Sequence, residues 1–130
     1  MTLEQIKQLS DDEIRIKVAE LLGWLEIEND MVVLNVYELR GLTPDNTHIA
    51  HERWRISIPQ YPKDLNACFE MEEILTDIQF CKYVQILCGH TTIGVKIQWG
   101  GPDAGRACRA TARKRCEAFI LTMTGENDHV

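Results

Sequence analysis

No apolar run in this chain reaches the roughly 18 residues that a bilayer-spanning helix requires, and its five cysteines contain no C-x-x-C pair. The first absence excludes a helical membrane span. The second removes the ligand spacing that zinc sites usually carry. Aromatic residues are scarce at 7%, so any platform on which a base stacks comes from a short roll of candidates. There is no internal repeat and no low-complexity segment, which sets aside solenoids and biased linkers. Positive charge is also in deficit: 14 Lys and Arg stand against 20 Asp and Glu, a formal net charge of −6. Such a chain repels long phosphate backbones except at a local basic patch. Neither a nucleic-acid polymer nor a membrane is expected as a partner. The polar opening MTLEQIKQLSDDE is not a signal peptide, so a soluble, intracellular chain is expected.

What remains fits one domain over residues 1–130, since 130 residues with 45% hydrophobic content support a single core. The cysteines at 68, 81, 88, 108 and 116 read as reduced core residues. Cys81/Cys88 and Cys108/Cys116 lie seven and eight apart, which on helices forms one apolar stripe. A zinc site using Cys88 and His90 is the weaker alternative, and no metal or cofactor is expected.

Ser10–Glu13 is a capping box, S-x-x-E, ahead of Ile14, Val18, Leu21, Leu22 and Leu25 at helical spacing. A helix is expected over about 11–25. MVVLNVYEL (31–39) reads as one strand and RWRISI (53–58) as a second, joined by a Gly/Pro/Asn-rich loop as an antiparallel pair. IPQYPKDLN is a stiff Pro-bracketed link leading to a helix over about 63–75. Thr76–Gln79 is a second box, T-x-x-Q, opening a helix over about 77–88 that Gly89 ends. TTIGVKIQW (91–99) is a third strand candidate, GGPDAG a loop, and a final helix is expected over about 103–123. The expected fold class is α+β, a small antiparallel sheet covered by helices in the order α-β-β-α-α-β-α. Its open edges favour association between subunits.

The positive charge is concentrated in one place. RACRATARKR (106–115) holds four arginines and a lysine in ten residues. On one continuous helix Arg106, Arg109 and Arg113 share a face at i, i+3, i+7. A solvated face is one reading. A phosphate site is the other, for three reasons: no acid sits at i−4 beyond Asp103, all three are arginines whose planar forks suit phosphate oxygens, and a Gly-rich loop with a helix N-terminus precedes them. Arg115 falls on the apolar side and needs a partner such as Glu70 or Glu73. Base-stacking candidates are Trp99, Tyr83, Tyr61 and Trp54; aromatics of this kind are more often core than platform, and Trp99, directly before Gly100-Gly101, is the best placed. Asn66 either reads a base edge or caps a helix. No triad-like order is present, and Asp45–His51 is the one weak catalytic candidate.

Three stretches carry a resemblance. DDEIRIKVAELLGW (11–24), IPQYPKDLNACFEME (58–72) and CRATARKRCEAFILT (108–122) contain E-x-R-x-K-V-A-E-L, P-x-Y-x-x-D-L-N-A-x-x-x-M-E and A-T-A-x-x-R-x-E-A-F. Together they resemble the phage ABA-sandwich domain family, and within it the Thoeris anti-defence proteins of the signal-sponge type. The resemblance implies a non-enzymatic protein in the cytoplasm of an infected bacterium. Such a protein sequesters cyclic ADP-ribose isomers, or cyclic oligonucleotides, without degrading them. It also implies a dimer-based or hexameric homo-oligomer with sites between subunits. It offers Arg109 and Arg113, then Arg106, as phosphate binders, with Asn66 beside them. The alternatives are a phosphodiesterase-type enzyme acting on the same signals and a structural phage protein-interaction module.

Overall fold

The computed structural model describes residues 2–44, 55–89 and 109–124. These form a mixed α+β fold with five helices and one three-stranded antiparallel sheet, in the order α1-α2-β1-β2-β3-α3-α4-α5. The expected strand at 91–99 and the expected helical turns at 103–108 lie outside the described residues.

Side-chain caps decide where the helices start. Helix α1 (Leu3–Lys7) opens with Thr2, whose hydroxyl accepts from Gln5 N at 3.3 Å while the Gln5 amide reaches back to Thr2 N at 2.8 Å. This is the same T-x-x-Q signature that the sequence shows at Thr76. Helix α2 (Asp11–Leu22) has the expected Ser10/Glu13 box, at 3.1 and 3.2 Å. Each such cap contributes about 1 kcal/mol. Helix α2 stops three residues short of the expected end, because Gly23 turns left-handed at φ +98.

The largest departure from expectation lies in the sheet. MVVLNVYEL is not one strand but the two arms of a hairpin. Strand β1 (Leu25–Val33) and strand β2 (Val36–Leu42) pair Met31 with Tyr37 and Val33 with Val36. Leu34 and Asn35 turn the chain, Asn35 at φ +62, a left-handed conformation that asparagine tolerates better than most residues. Strand β3 (Arg55–Ser57) pairs antiparallel with β2 as expected, Arg40 opposite Ser57.

The Pro-bracketed link is fastened to α2. Arg15, only 5% exposed, donates through Nε to Ile58 O at 2.9 Å and Pro59 O at 3.3 Å, and through Nη2 to Ile58 O. Beyond the link, Asp64 rather than Asn66 caps helix α3 (Leu65–Glu72), accepting from Asn66 N at 2.9 Å. Helix α4 (Asp77–Leu87) opens with the expected Thr76/Gln79 box.

The core is built around helix α5 (Ala112–Thr124), which packs against α1, α2, α3 and α4. Cys116 through Thr122 are all buried, so almost the whole circumference of this helix is covered. Cys68, Cys88 and Cys116 are reduced and fully buried, as the cysteine pattern implied, with Cys68 and Cys116 sulfurs 4.0 Å apart. Cys81 departs from the predicted stripe and is exposed.

Candidate functional site

The arginine face depends on a continuous helix, and the helix is interrupted. Ala110 and Thr111 are not helical. Thr111 starts α5 afresh: its hydroxyl accepts from Lys114 N at 3.2 Å and its carbonyl from Arg115 N at 3.0 Å. Threonine inside A-T-A is a good N-cap, and that is the physical reason for the break. Arg109 therefore lies before the cap and Arg113 after it, so the shared i, i+4 face of these two residues is not formed.

Arg113 is held within the chain. Its guanidinium donates to Asp11 Oδ1 at 2.8 Å and Glu117 Oε2 at 2.9 Å. It also donates to the carbonyls of Leu9 at 2.5 Å and Lys7 at 3.2 Å, where α1 gives way to α2. Basic side chains close such exposed helix ends. The sequence contained the signal: Glu117 stands at i+4 from Arg113. An acid at i+4 neutralises an arginine on a helix as one at i−4 does.

Arg115 finds a carboxylate, as expected, but a different one. Its Nη1 donates to Glu72 Oε1 at 2.9 Å, in place of Glu70 or Glu73. Tyr83 donates its hydroxyl to the same Glu72 oxygen at 2.5 Å, and the Arg115 guanidinium sits 5.5 Å from the centre of the Phe69 ring.

The aromatic candidates divide. Tyr83 (1% exposed) and Tyr61 (4%) are core residues in this chain, while Trp99 and Trp54 lie outside the described residues, as do Arg106, His90 and Asp45–His51. Burial pushes the Tyr61 phenol up to about 12, only partly opposed by its contact with Trp24. Burial and then the Glu72 hydrogen bond raise the Tyr83 phenol as well. An unfolded tyrosine ionises near its ordinary value of about 10. Between about pH 10 and 12 the unfolded chain therefore loses protons that the folded chain keeps, and stability falls as pH rises. Denaturant unfolding measured from pH 9 to 12 is expected to show this fall, and Tyr61→Phe to make it shallower. A wild-type slope retained in the variant would remove Tyr61 as a cause.

Two of the predicted binders face solvent: Asn66 in the first turn of α3, and Arg109. Among the described residues Arg109 has no ion-pair or hydrogen-bond partner. It precedes the capped N-terminus of α5, where the helix adds partial positive charge. Sequence reasoning also missed a cavity of about 210 Å³ lined by Leu3, Lys7, Ile86, Leu87, Lys114 and Ala118, among others. It is smaller than the ~300 Å³ at which ligand pockets begin. Among the described residues no cluster of three His, Cys, Asp or Glu is placed to hold a metal, and no helix is long and apolar enough to cross a membrane.

No family model, curated protein or solved structure matches this chain. The resemblance to the phage ABA-sandwich family thus rests on its three quoted motifs. The structure gives most of their distinctive residues a part in the fold. Arg15 holds the Pro-bracketed link, Gly23 ends α2, Asp64 caps α3, Glu72 meets Arg115, and Thr111 caps α5. Asn66 and Glu20 are polar motif residues that face solvent.

Proposed function

We propose that this protein binds a small cyclic nucleotide signal through a cationic site around Arg109 and holds it intact, as the signal-sponge resemblance implies. The observation that carries the reading is Arg109 itself: an exposed arginine, unpaired among the described residues, two residues ahead of the Thr111 cap that starts α5. A guanidinium in that position offers a planar fork to phosphate oxygens where the helix already favours negative charge. The net charge of −6 supports selectivity, since a small anion meets only the local field while a polyanion meets the whole acidic surface. Arg106, Trp99 and Asn66 belong to the same proposed site. A partner subunit completes it, in the cytoplasm of an infected bacterium.

Incubating the purified protein with cyclic ADP-ribose isomers and cyclic di- and trinucleotides, filtering, then heat-denaturing and weighing what is released tests this directly. Intact ligand recovered only after denaturation is the expected result. Altered ligand makes the protein an enzyme, and ligand passing freely through the filter removes the sponge reading. Arg109→Ala is expected to weaken binding about tenfold to a hundredfold, the loss of one charge-assisted contact, with an unchanged melting temperature. Equal affinity in calorimetry removes Arg109 from the site.

A second reading, a structural interaction module, is favoured by a specific observation. Arg113 and Arg115 are engaged by Asp11, Glu117 and Glu72. In that reading the basic stretch fastens helices together and Arg109 pairs across a subunit interface.

A further inference from the structure

The cavity of about 210 Å³ lies where three helices meet. Helix α1 supplies Leu3 and Lys7, α4 supplies Ile86 and Leu87, and α5 supplies Lys114, Glu117 and Ala118. Leu3, Ile86 and Leu87 pack on the core yet stay only partly buried, and Ala118, 1% exposed, contributes no more than a methyl group. At about 30 Å³ per water the recess has room for about seven waters. Water among aliphatic side chains finds few hydrogen-bond partners, so an apolar group of matching size that displaces it gains free energy. The volume sets the size of that group. It is too small for a nucleotide and fits a molecule of about eight non-hydrogen atoms.

Charge selects the other end of the molecule. Two of the chain's six lysines line this one recess, in a protein of net charge −6. The Lys114 ammonium has no ion-pair or hydrogen-bond partner among the described residues. Lys7 meets Glu4 at 3.9 Å with side chains 51% and 81% exposed, a pair that solvent screens. Glu117 brings an acid to the lining, but Arg113 already meets it at 2.9 Å. The helix ends offset one another: α1 and α4 finish beside the recess with their negative poles, and α5 begins beside it with its positive one. Two ammonium groups next to an aliphatic lining are what remains. A bare inorganic anion would leave the lining wet, and an uncharged aliphatic molecule would leave the lysines unused.

We propose that this recess binds a small aliphatic carboxylate, its tail against Leu3, Ile86, Leu87 and Ala118 and its carboxylate held by Lys7 and Lys114. The site is distinct from Arg109 and does not rest on the nucleotide reading.

Hexanoate has the right size and is the probe. Hexan-1-ol is its uncharged counterpart and hexylammonium its opposite in charge. Each is titrated into isotopically labelled protein at constant ionic strength, and amide and methyl NMR shifts are followed. Hexanoate is expected to saturate with a Kd on the order of 1 mM, the affinity open to a ligand of so few atoms. Its shifts are expected to centre on Leu3, Ile86, Leu87 and Ala118. Hexan-1-ol is expected to bind about tenfold more weakly, for want of one charge-assisted contact, and hexylammonium more weakly still. Lys7→Gln/Lys114→Gln is the variant. Both side chains are exposed, and the Lys114 backbone N–H that closes the Thr111 cap is untouched, so the fold is expected to be kept. The variant is expected to bind hexanoate about tenfold more weakly and hexan-1-ol as the wild type does. Hexan-1-ol binding as tightly as hexanoate overturns the proposal, as does a variant that keeps the wild-type affinity for hexanoate. Shifts centred away from the recess, or none at about ten times the expected Kd, overturn it too. No nucleotide is present in these titrations, so their outcome is independent of the filtration experiment.

Discussion

Replacing Arg113 by alanine is expected to destabilise the protein by about 3 kcal/mol, lowering the melting temperature by about 10 °C for a domain of this size. The guanidinium holds together three places in the chain. It contacts the carbonyls of Lys7 and Leu9 between α1 and α2, Asp11 in the first turn of α2, and Glu117 inside α5. Not all of these count equally. Asp11 is half-exposed at 48%, and a pair with it is screened by solvent. Glu117 is 10% exposed, so deleting Arg113 leaves a carboxylate buried without its cation. A second substitution isolates that contribution. Glu117→Gln in the Arg113→Ala background is expected to recover part of the loss, because it removes the orphaned charge. Urea unfolding of the four chains closes the cycle. A single variant that unfolds like the wild type would mean that the clamp contributes nothing and that Arg113 is available to a ligand after all. The expectation for Arg109→Ala is the opposite in each respect, with stability kept and binding lost. The pair of variants therefore separates a fold arginine from a ligand arginine within one basic stretch.

The parts of the fold that were legible in the sequence are those that side chains settle locally. Ser10–Glu13 and Thr76–Gln79 predicted two helix starts because the capping oxygen and its reciprocal amide or carboxylate lie within four residues. The hairpin was not legible, because Leu34-Asn35 lacks the glycine that usually marks a two-residue turn, and β-branched residues on both sides masked it as one run. The remaining signal was Asn35, a residue that tolerates the left-handed region. The last helix failed for a related reason. Ala110-Thr111-Ala112 passes as helix by propensity, while the threonine hydroxyl prefers to take up a free N–H at a start. Legibility of the candidate site was lower still. A wheel assigns faces only if the helix is unbroken, and pairing partners 43 and 102 residues away, Glu72 for Arg115 and Asp11 for Arg113, leave no local trace. The motifs behind the family resemblance report chiefly these fold contacts, which is why they speak more strongly for an architecture than for a ligand.

Glu72→Ala is expected to cost about 3–4 kcal/mol, the second large loss. Glu72 is where three helices meet. It ends α3, accepts the Tyr83 hydroxyl from α4 at 2.5 Å, and accepts Arg115 Nη1 from α5 at 2.9 Å. The Arg115 and Glu72 side chains are 12% and 15% exposed, so little water is available to either when the other is gone. Removing the acid takes away the carboxylate that Nη1 meets and leaves the guanidinium bonded to the Ala110 carbonyl at 3.1 Å and set over the Phe69 ring. The Tyr83 hydroxyl, in the core, loses its acceptor at the same time. Replacing both members by similar-sized apolar residues, Glu72→Met with Arg115→Met, is expected to recover the part of the loss that the half pair causes, because an interior of this kind tolerates a missing pair far better than a half pair. Chemical denaturation of the two single variants and the double variant measures this. Glu72→Ala within about 0.5 kcal/mol of the wild type, the ordinary range for surface substitutions, would place the pair at the surface energetically despite its burial. Ligand filtration of the double variant below its melting point then decides what the motif pair is for. Full retention of ligand makes Glu72 and Arg115 scaffold alone, whereas lost retention in a folded, stable double variant brings Arg115 into the binding site.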